Sequence, residues 1–284
     1  MSLPLVKRQE GDTGKAIPDT IYSGIFAFVK IAITLRYFIE FSYFGKAYHG
    51  WQRQPNALTV QQVLEEAFTT LVGMPVALTA AGRTDTGVHA RHMMAHADMA
   101  AVEDCAGLVY RLNSLLPDDI AVMQIKSVVP EAHARFDALE RTYEYWVVQE
   151  KDPFYRDLAY YLRYPLDLDL MNQAAVLLTE YRDFKCFSKS NTDVSTFDCD
   201  IRLAQWSRED GKLVFTITAD RFLRNMVRAI VGTLIEIGQG RMAPTDVKGI
   251  IKSRDRARAG VSVPAKGLYL TRVSYPDNIF NPGN

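Results

Sequence analysis

Hydrophobic and polar side chains alternate from Leu35 to Tyr43, where Arg36, Glu40 and Ser42 occupy polar positions. A repeat of two residues is typical of a strand with one buried face. Further strand-like runs follow at residues 76–81, 120–129, 142–148, 212–218 and 268–274. The pattern therefore predicts strands distributed over most of the chain.

The clearest helix is predicted after Thr59, a favourable N-cap residue. Gln62 stands three positions later, as in a capping box, and Gly73 provides a C-terminal stop. One face of this helix is hydrophobic, and it consists of Val60, Val63, Leu64, Ala67, Phe68 and Leu71. Helical patterns also cover residues 106–116, 170–179 and 222–237, of which the first ends at Pro117 and the last at Gly238.

Strands and helices that do not alternate strictly predict an α+β protein, with two mixed α/β domains and antiparallel-rich sheets. The predicted segments are an N-terminal extension at residues 1–34, one domain at 35–138 and a second at 139–284. A hydrophobic stretch at residues 21–35 carries Lys30 and is shorter than the roughly 20 residues of a membrane-spanning helix. We therefore expect no membrane association and no signal peptide.

The charges of the chain balance, because 33 Lys and Arg residues face 33 Asp and Glu residues. Indiscriminate coating of nucleic acid needs a large basic excess, so the balance excludes that class of protein. Residues 1–140 hold 12 basic and 15 acidic residues, whereas residues 141–284 hold 21 and 18. Any RNA binding must therefore use a local patch, and the second half is the more basic one.

Three cysteines, Cys105, Cys186 and Cys199, lie far apart and form no C-x-x-C pair. This arrangement fits neither a disulfide framework nor a structural zinc site. We therefore expect a reducing compartment, which is the cytoplasm.

A glycine-bounded loop at residues 82–87 places Asp85 directly after a hydrophobic strand, where reactive groups often lie. A structural explanation is a turn in which Asp85 and two threonines bond backbone N–H groups. An aspartic protease is another possibility, because Asp85-Thr86-Gly87 and Asp12-Thr13-Gly14 match its short motif. Neither triplet follows the two hydrophobic residues that bury such a dyad, so this interpretation is the weaker one.

Three histidines are spaced as H-x2-H-x3-H, namely His89, His92 and His96. On a helix this spacing could bring three imidazoles together as metal ligands. On a strand His89 would point away from the other two and the site could not form. Histidines that bond the backbone or face solvent are the favoured interpretation.

Arginines recur at Arg221, Arg224 and Arg228, from the residue before the helix predicted over residues 222–237 into that helix, beside a separate hydrophobic stripe. A row of guanidiniums is either a solvated basic face or a surface for phosphate groups. A basic tract continues the row downstream, and it consists of Lys248, Lys252, Arg254, Arg256 and Arg258. The sequence favours neither explanation of this row.

Several short motifs occur in a fixed order between residues 35 and 276. They are Phe41-Ser42-Tyr43, residues 48–54 (YHGWQRQ), Thr59-Val60-Gln61, Gly82-Arg83-Thr84-Asp85, Asn113-Ser114, residues 116–120 (LPDDI), residues 133–136 (HARF), Arg141-Thr142-Tyr143, residues 222–224 (FLR), residues 226–228 (MVR) and residues 264–268 (PAKGL). In this combination the chain resembles the tRNA pseudouridine synthase A family, which isomerises uridines in the anticodon stem-loop.

The resemblance implies that Asp85 is the nucleophile and that neither a metal nor a cofactor takes part. A carboxylate suits this role because it is ionised at neutral pH and can form an adduct that is later released. Attack at C1′ of the ribose and attack at C6 of the uracil both remain open.

The same resemblance assigns further roles around the uracil. Tyr143 would stack on the base and help to remove the C5 proton, Arg228 would pair with Asp85, and Leu268 would pack under the base. Arg83 would help to hold the nucleotide out of its stack, which costs a few kcal/mol. Arg221 and Arg224 are the remaining candidates for substrate contacts.

The resemblance also implies a homodimer that binds the anticodon arm of tRNA in the cytoplasm. A catalytic cleft is expected between the domains, since Asp85 lies in the first and Tyr143, Arg228 and Leu268 in the second. The alternative that is not an enzyme is a protein that binds or folds tRNA without catalysing a reaction.

The chain departs from the family pattern at a few positions. Phe44 stands where the family usually has Asp, Thr86 where it often has Ala, and His92-Met93 where Gly-Gln is common. The last pair follows the Asp85 loop, so it bears on the substrate contacts expected there.

Overall fold

A mixed sheet of nine strands runs through the part of the chain that the structure describes. The structure is a computed structural model, and it describes residues 34–189 and 194–281. The strands are β1 (Thr34–Tyr43), β2 (Thr79–Ala80), β3 (His89–Ala100), β4 (Ile120–Ser127), β5 (Glu140–Val148), β6 (Tyr160–Tyr161), β7 (Ile201–Glu209), β8 (Lys212–Ala219) and β9 (Leu268–Ser274). Seven of them follow the order β4-β1-β3-β9-β5-β8-β7, while β2 pairs with β3 and β6 pairs with β5.

Most neighbouring strands are antiparallel, and the parallel pairs in the described sheet are β3–β9 and β5–β6. The α-helices of the described residues are α1 (Val60–Val72), α2 (Cys105–Leu115), α3 (Leu168–Leu177), α4 (Met226–Gly238) and α5 (Asp246–Ser253). Helix α2 packs against the edge strand β4, and α3 packs against β7 and α4. The predicted α+β class with antiparallel-rich pairing is confirmed.

The β3–β9 pair joins strands from the two predicted domains. Strands β4, β1 and β3 belong to the first of these segments, and β9, β5, β8 and β7 belong to the second. The parallel ladder between them pairs His89 with Tyr269 and Ala90 with Leu270. The division into two domains with a cleft between them stays a prediction.

Helix α1 shows how far local sequence signals can fix an element. The Thr59 hydroxyl accepts a hydrogen bond from the Gln62 N–H, and Gly73 ends the helix in the left-handed conformation. The Gln62 side chain donates to Glu66 instead of turning back to Thr59, so only half of the predicted capping box forms. The predicted start and end of this helix are confirmed.

Other elements differ from their predicted extents. Helix α4 begins at Met226 and not at Phe222, because Asn225 adopts a left-handed conformation with φ of 66°. The run at residues 76–81 forms only the two residues of β2. Residues 89–100, whose pattern did not distinguish a helix from a strand, form β3, while β7 and α5 were not predicted.

Several predictions concern residues 1–33, which lie outside the described residues. They include the extension, Lys30 and Asp12-Thr13-Gly14. Within the described ranges, no helix combines the length and hydropathy needed to cross a membrane. The three cysteines carry free thiols.

Candidate active site

Asp85 lies in the loop between β2 and β3, where the backbone is held from several sides. The Trp51 N–H donates to the Thr84 carbonyl at 3.2 Å, and the Gly87 N–H donates to the Tyr48 carbonyl at 3.3 Å. Gly50, with φ of 86°, lies so close that an added Cβ would stand 2.4 Å from the Thr84 oxygen. A side chain at position 50 would therefore displace the loop that presents Asp85.

A buried hydrogen bond anchors the residue that precedes Asp85. The hydroxyls of Tyr43 and Thr84 lie 2.7 Å apart, and both side chains are buried. Burial raises the pKa of the Tyr43 hydroxyl, so this group stays neutral. Tyr43, the last residue of β1, thus helps to fix the position of the Asp85 loop.

Two guanidinium groups face the Asp85 carboxylate. Arg224 Nε lies 3.5 Å from Asp85 Oδ1, and Arg228 Nη1 lies 3.8 Å from Oδ2. The exposed fractions of the side chains are 28% for Asp85, 21% for Arg228 and 60% for Arg224. Because solvent screens an exposed pair, Arg228 is the stronger influence on the orientation of the carboxylate. Asp85 remains accessible to a ligand.

Arg228 is itself held by two bonds to Val263. Its Nε donates to the Val263 carbonyl at 2.7 Å, and its own carbonyl accepts from the Val263 N–H at 3.2 Å. The side-chain bond occupies one edge of the guanidinium, so that Nη1 faces Asp85. Arg228 lies in the first turn of α4.

The predicted row of arginines on one helix is wrong in part. Arg221 and Arg224 lie before α4, because the helix begins only after the left-handed Asn225. Arg224 still reaches Asp85 from this turn. Arg221 lies at the start of the turn, where its backbone N–H donates to Asp220 Oδ1 at 2.7 Å, and it makes no ion pair with Asp85.

Tyr143 lies on β5, and its buried ring is next to the Asp85 site. Its ring centroid is 5.1 Å from that of Phe222 in an edge-to-face arrangement. Burial raises the pKa of Tyr143 to about 12, and the nearby charges of Arg141 and Asp85 act on it in opposite directions. Tyr143 is therefore a neutral phenol at physiological pH.

Leu268 and Arg83 lie at the margins of this group. Leu268 is buried and faces Tyr145 across the β9–β5 ladder, on the same sheet face as the neighbouring Tyr143–Leu270 pair. Arg83 is exposed, two residues before Asp85, and its side chain makes no hydrogen bond or ion pair with a described residue. The structure thus brings Asp85, Arg224, Arg228 and Tyr143 together and leaves Arg83 free to meet a ligand.

The aspartic-protease interpretation requires a second carboxylate beside Asp85. The ion-pair partners of Asp85 among the described residues are arginines instead. Asp12, the other aspartate of this interpretation, lies outside those residues.

Each of the three histidines accepts a backbone N–H at Nδ1, from Gly45 for His89, from Val273 for His92 and from Ala134 for His96. Burial lowers the pKa of His89, and it lowers the pKa of His96 to about 4. The favoured interpretation, that histidines bond the backbone, is confirmed. Within residues 34–189 and 194–281, no cluster of three or more His, Cys, Asp or Glu side chains is placed to hold a metal ion.

The departures from the family pattern have local structural partners. The Phe44 ring stacks on the His89 ring, with centroids 4.4 Å apart. His92 lines a cavity of about 270 Å³ with Glu40 and Arg272, and this cavity does not include Asp85. The departure from the family pattern at His92 therefore affects this cavity more directly than it affects the Asp85 carboxylate.

The basic tract after α4 is largely engaged within the fold. Lys248 pairs with Glu180 at 3.3 Å and Arg254 pairs with Asp183 at 3.1 Å. Arg256 donates to a neighbouring loop, while Lys252 and Arg258 are exposed. Only part of this tract is thus available to bind phosphate groups.

Sequence patterns missed the residues that support Asp85 from behind. Tyr43 and Gly50 fall within motifs, but nothing local indicates that they contact the Asp85 loop. The Val263 carbonyl carries no side-chain signal at all. These roles depend on contacts between distant segments of the chain.

The chain is similar to known proteins over most of its length. A family model described as tRNA pseudouridine synthase matches residues 174–276. The chain is 53% identical over 246 residues to tRNA pseudouridine synthase A of Parabacteroides distasonis, covering 86% of this chain and 98% of the relative. It is 52% identical over 249 residues to the protein of the same name from Porphyromonas gingivalis, covering 86% and 99%. For the Bacteroides thetaiotaomicron protein of that name the identity is 49% over 249 residues, covering 87% and 93%.

Proposed function

The chain belongs to the tRNA pseudouridine synthase A family, an isomerase family, and from this premise we propose that it converts uridine to pseudouridine in the anticodon stem-loop with Asp85 as nucleophile. The observation that carries the proposal is the accessible Asp85 carboxylate held between Arg224 and Arg228. A nucleophile needs both exposure to its substrate and a fixed direction of attack.

The reaction rearranges one nucleotide without a net loss or gain of atoms. The N1–C1′ bond breaks, a C5–C1′ bond forms, and one proton leaves C5 while N1 gains one. Asp85 adds to C1′ of the ribose or to C6 of the uracil and is released when the product forms. The two guanidiniums hold the carboxylate in position before attack and after release.

Tyr143 serves this reaction as a neutral stacking partner. Its pKa of about 12 leaves it protonated at physiological pH, so it accepts the C5 proton only after losing its own. Leu268 packs under the base from the same face of the sheet. The side chains of Tyr143 and Leu268 are both buried, and such apolar surroundings suit the flat faces of a uracil that has left its stack.

Three arginines supply the contacts to the rest of the nucleotide. Arg83 and Arg224 are exposed beside Asp85, where guanidiniums can bond phosphate oxygens and hold the flipped nucleotide. Arg221 lies at the start of the same turn as Arg224 and contacts the adjoining RNA backbone. The anticodon arm of tRNA is the bound partner, and a cytoplasmic homodimer is the expected form of the enzyme.

Asp85→Asn tests the proposal because it removes the charge while keeping the size of the side chain. Wild type and variant are incubated with tRNA labelled with tritium at C5 of uridine, and tritium release is measured at saturating enzyme. tRNA binding is measured separately. Asp210→Asn is the matched control, since Asp210 lies in the exposed turn between β7 and β8.

Wild type and Asp210→Asn should release tritium at the same rate, whereas Asp85→Asn should release none and still bind tRNA. If Asp85→Asn released tritium at the wild-type rate, Asp85 would not be the nucleophile. Wild-type protein that binds tRNA without releasing tritium would favour a tRNA-binding or tRNA-folding role.

A further inference from the structure

The irregular segment at residues 259–264 lies against the start of α4, and we call it the strap. It supplies the Val263 carbonyl that holds Arg228 and the Pro264 carbonyl that accepts from the Tyr145 hydroxyl at 2.8 Å. It has no helix or strand of its own before residue 265. Its position must therefore be fixed by contacts with other segments.

One part of the strap packs directly on the backbone of α4. A Cβ at Gly232 would stand 1.9 Å from the Val261 carbonyl oxygen, and one at Gly260 would stand 2.6 Å from the Thr233 nitrogen. The Gly260 N–H also donates to the Thr233 hydroxyl at 2.9 Å. This close approach fixes residues 260 and 261 but does not reach Val263.

Arg256 holds the strap over a greater length. Its Nη1 donates to the carbonyls of Ala259 at 3.2 Å and Gly260 at 3.0 Å, and its Nη2 donates to the Ser262 hydroxyl at 2.8 Å. The planar guanidinium can bind all three acceptors at once, which a lysine ammonium cannot do with the same geometry. Arg256 is half-buried, whereas Arg254 and Arg258 beside it are exposed.

The Ser262 hydroxyl connects this arginine to the Asp85 site. It also accepts from Asn225 Nδ2 at 2.6 Å, and Asn225 is the left-handed residue between Arg224 and α4. Arg256 therefore reaches Arg224 through Ser262 and Asn225, and it reaches Arg228 through Ser262 and Val263.

We infer that Arg256 is a positioning residue for the reaction, which acts through the strap on the two guanidiniums at Asp85, and that it does not bind phosphate. This inference rests on the proposed function. Three of the five N–H donors of Arg256 are already used by the strap. Arg256 and the exposed Arg258 belong to the same basic tract, but they thus have different roles.

The test uses Arg256→Gln and Ser262→Ala, the second of which removes only the shared hydroxyl. For each full-length variant we measure the single-turnover rate of pseudouridine formation at saturating enzyme, the tRNA Kd at several salt concentrations, and the Tm. Arg208→Gln is the control for losing one positive charge, since Arg208 is exposed on β7. Wild type and Asp85→Asn in the same assay test the proposed function independently.

A positioning role predicts that both variants lose rate on the order of tenfold, because small displacements of catalytic groups have large effects. Their Kd and its salt dependence should stay those of wild type and of Arg208→Gln, because the exposed Arg224 keeps its charge and can still reach a phosphate group when the strap shifts. A phosphate contact predicts the reverse, namely a wild-type rate at saturation and a salt slope reduced by about one unit in Arg256→Gln. That result would overturn the inference.

Two further outcomes are decisive. If wild type is active, Asp85→Asn is inactive and both strap variants keep the wild-type rate, the inference is wrong and the proposed function stands. If Arg256→Gln fails to fold, Ser262→Ala decides alone, and a wild-type rate in that variant overturns the inference. A reduced rate in Ser262→Ala at an unchanged Kd and Tm supports it.

Discussion

The hydroxyl pair of Tyr43 and Thr84 shows that the placement of Asp85 begins with single atoms in the core. Both side chains are buried, so neither hydroxyl can replace its partner with water. A buried hydroxyl that loses its partner costs about 1–3 kcal/mol. Since Thr84 directly precedes Asp85, a shift at this bond also moves the carboxylate.

Tyr43→Phe should therefore reduce both stability and activity. We expect the free energy of unfolding to fall by about 1–3 kcal/mol. We expect kcat to fall on the order of tenfold with an unchanged KM for tRNA. Tyr37→Phe is the matched control, because Tyr37 lies on the same strand and its buried hydroxyl accepts from the Val102 N–H, away from Asp85.

The control should lose stability but keep the wild-type kcat. Chemical denaturation and steady-state kinetics on the same preparations make this comparison. Equal losses of kcat in the two variants would show that the effect of Tyr43 is only structural.

The protonation state of Tyr143 makes a separate prediction about pH. Burial disfavours the phenolate and raises the pKa to about 12, so the neutral form persists throughout the ordinary assay range. If the neutral ring of Tyr143 stacks on uracil, Tyr143 should cause no rise of the single-turnover rate between about pH 7 and 10.

The pH profiles of wild type and Tyr143→Phe test this. We expect the two profiles to have the same shape over that range, with a lower rate for the variant. A tenfold rise per pH unit that is present in wild type and absent in Tyr143→Phe would instead identify the phenolate as the base.

In the outer strands β4 and β7, the backbone of one residue is hydrogen-bonded by an asparagine from a neighbouring helix. Asn113 of α2 donates to the Val122 carbonyl of β4 at 2.7 Å and accepts from the Val122 N–H at 2.8 Å. Asn172 of α3 does the same for Trp206 of β7, at 3.1 and 2.7 Å. Unpaired backbone groups on an outer strand can pair with another chain, so these amides protect the two edges.

Asn172→Ala should expose the edge at Trp206. We expect a stability loss of about 1–3 kcal/mol for the unpaired groups, and faster aggregation on heating. Gln173→Ala is the matched control, because Gln173 is an exposed amide on the same helix. Thermal unfolding with light scattering measures both effects, and identical traces for the two variants would rule out a protective role.

Local signals predicted some elements well and others poorly for a physical reason. Helix α1 has Thr59 and Gly73 at its ends, so its limits follow from neighbours in sequence. The start of α4 depends on Asn225, whose side chain bonds Ser262 at a distance of 37 residues along the chain. Strand β3 is buried on most positions of both faces, which hides the alternation that identifies an exposed strand.

The same distinction applies to the candidate site. The motif around Asp85 and the resemblance it supports pointed to Arg228 and Tyr143, and the structure places both next to the carboxylate. Tyr43, Val263 and Arg256 could not be found in this way, because their contacts form only after distant segments pack. In the sequence Arg256 belongs to a basic tract, but the members of that tract have different partners in the fold.

Across the fold, one half-buried guanidinium links the loops that carry the site. Arg141 donates to four backbone carbonyls, which belong to Ala81, Arg135, Ala138 and Asp220. Ala81 precedes the Asp85 loop, and Asp220 precedes the turn that carries Arg224. Burial lowers the pKa of Arg141, so its bonds to these carbonyls must offset the loss of hydration.

Arg141→Lys should therefore weaken the molecule in spite of the retained charge. A lysine has three donors on one nitrogen and leaves some of the carbonyls unpaired, at about 1–3 kcal/mol for each. We expect a Tm lower by about 5 °C or more and a reduced kcat. Arg202→Lys, at an exposed arginine that pairs with Glu140 and Asp200, should keep both values. A wild-type Tm and kcat in Arg141→Lys would contradict the linking role.

We propose that Asp85 carries out the isomerisation of uridine in the anticodon stem-loop. This is tested by mapping pseudouridine along unmodified tRNA after incubation with wild type or Asp85→Asn, at equal occupancy of tRNA. We expect pseudouridine within the anticodon stem-loop for wild type and at no position for Asp85→Asn. Pseudouridine in that stem-loop after incubation with Asp85→Asn would contradict it.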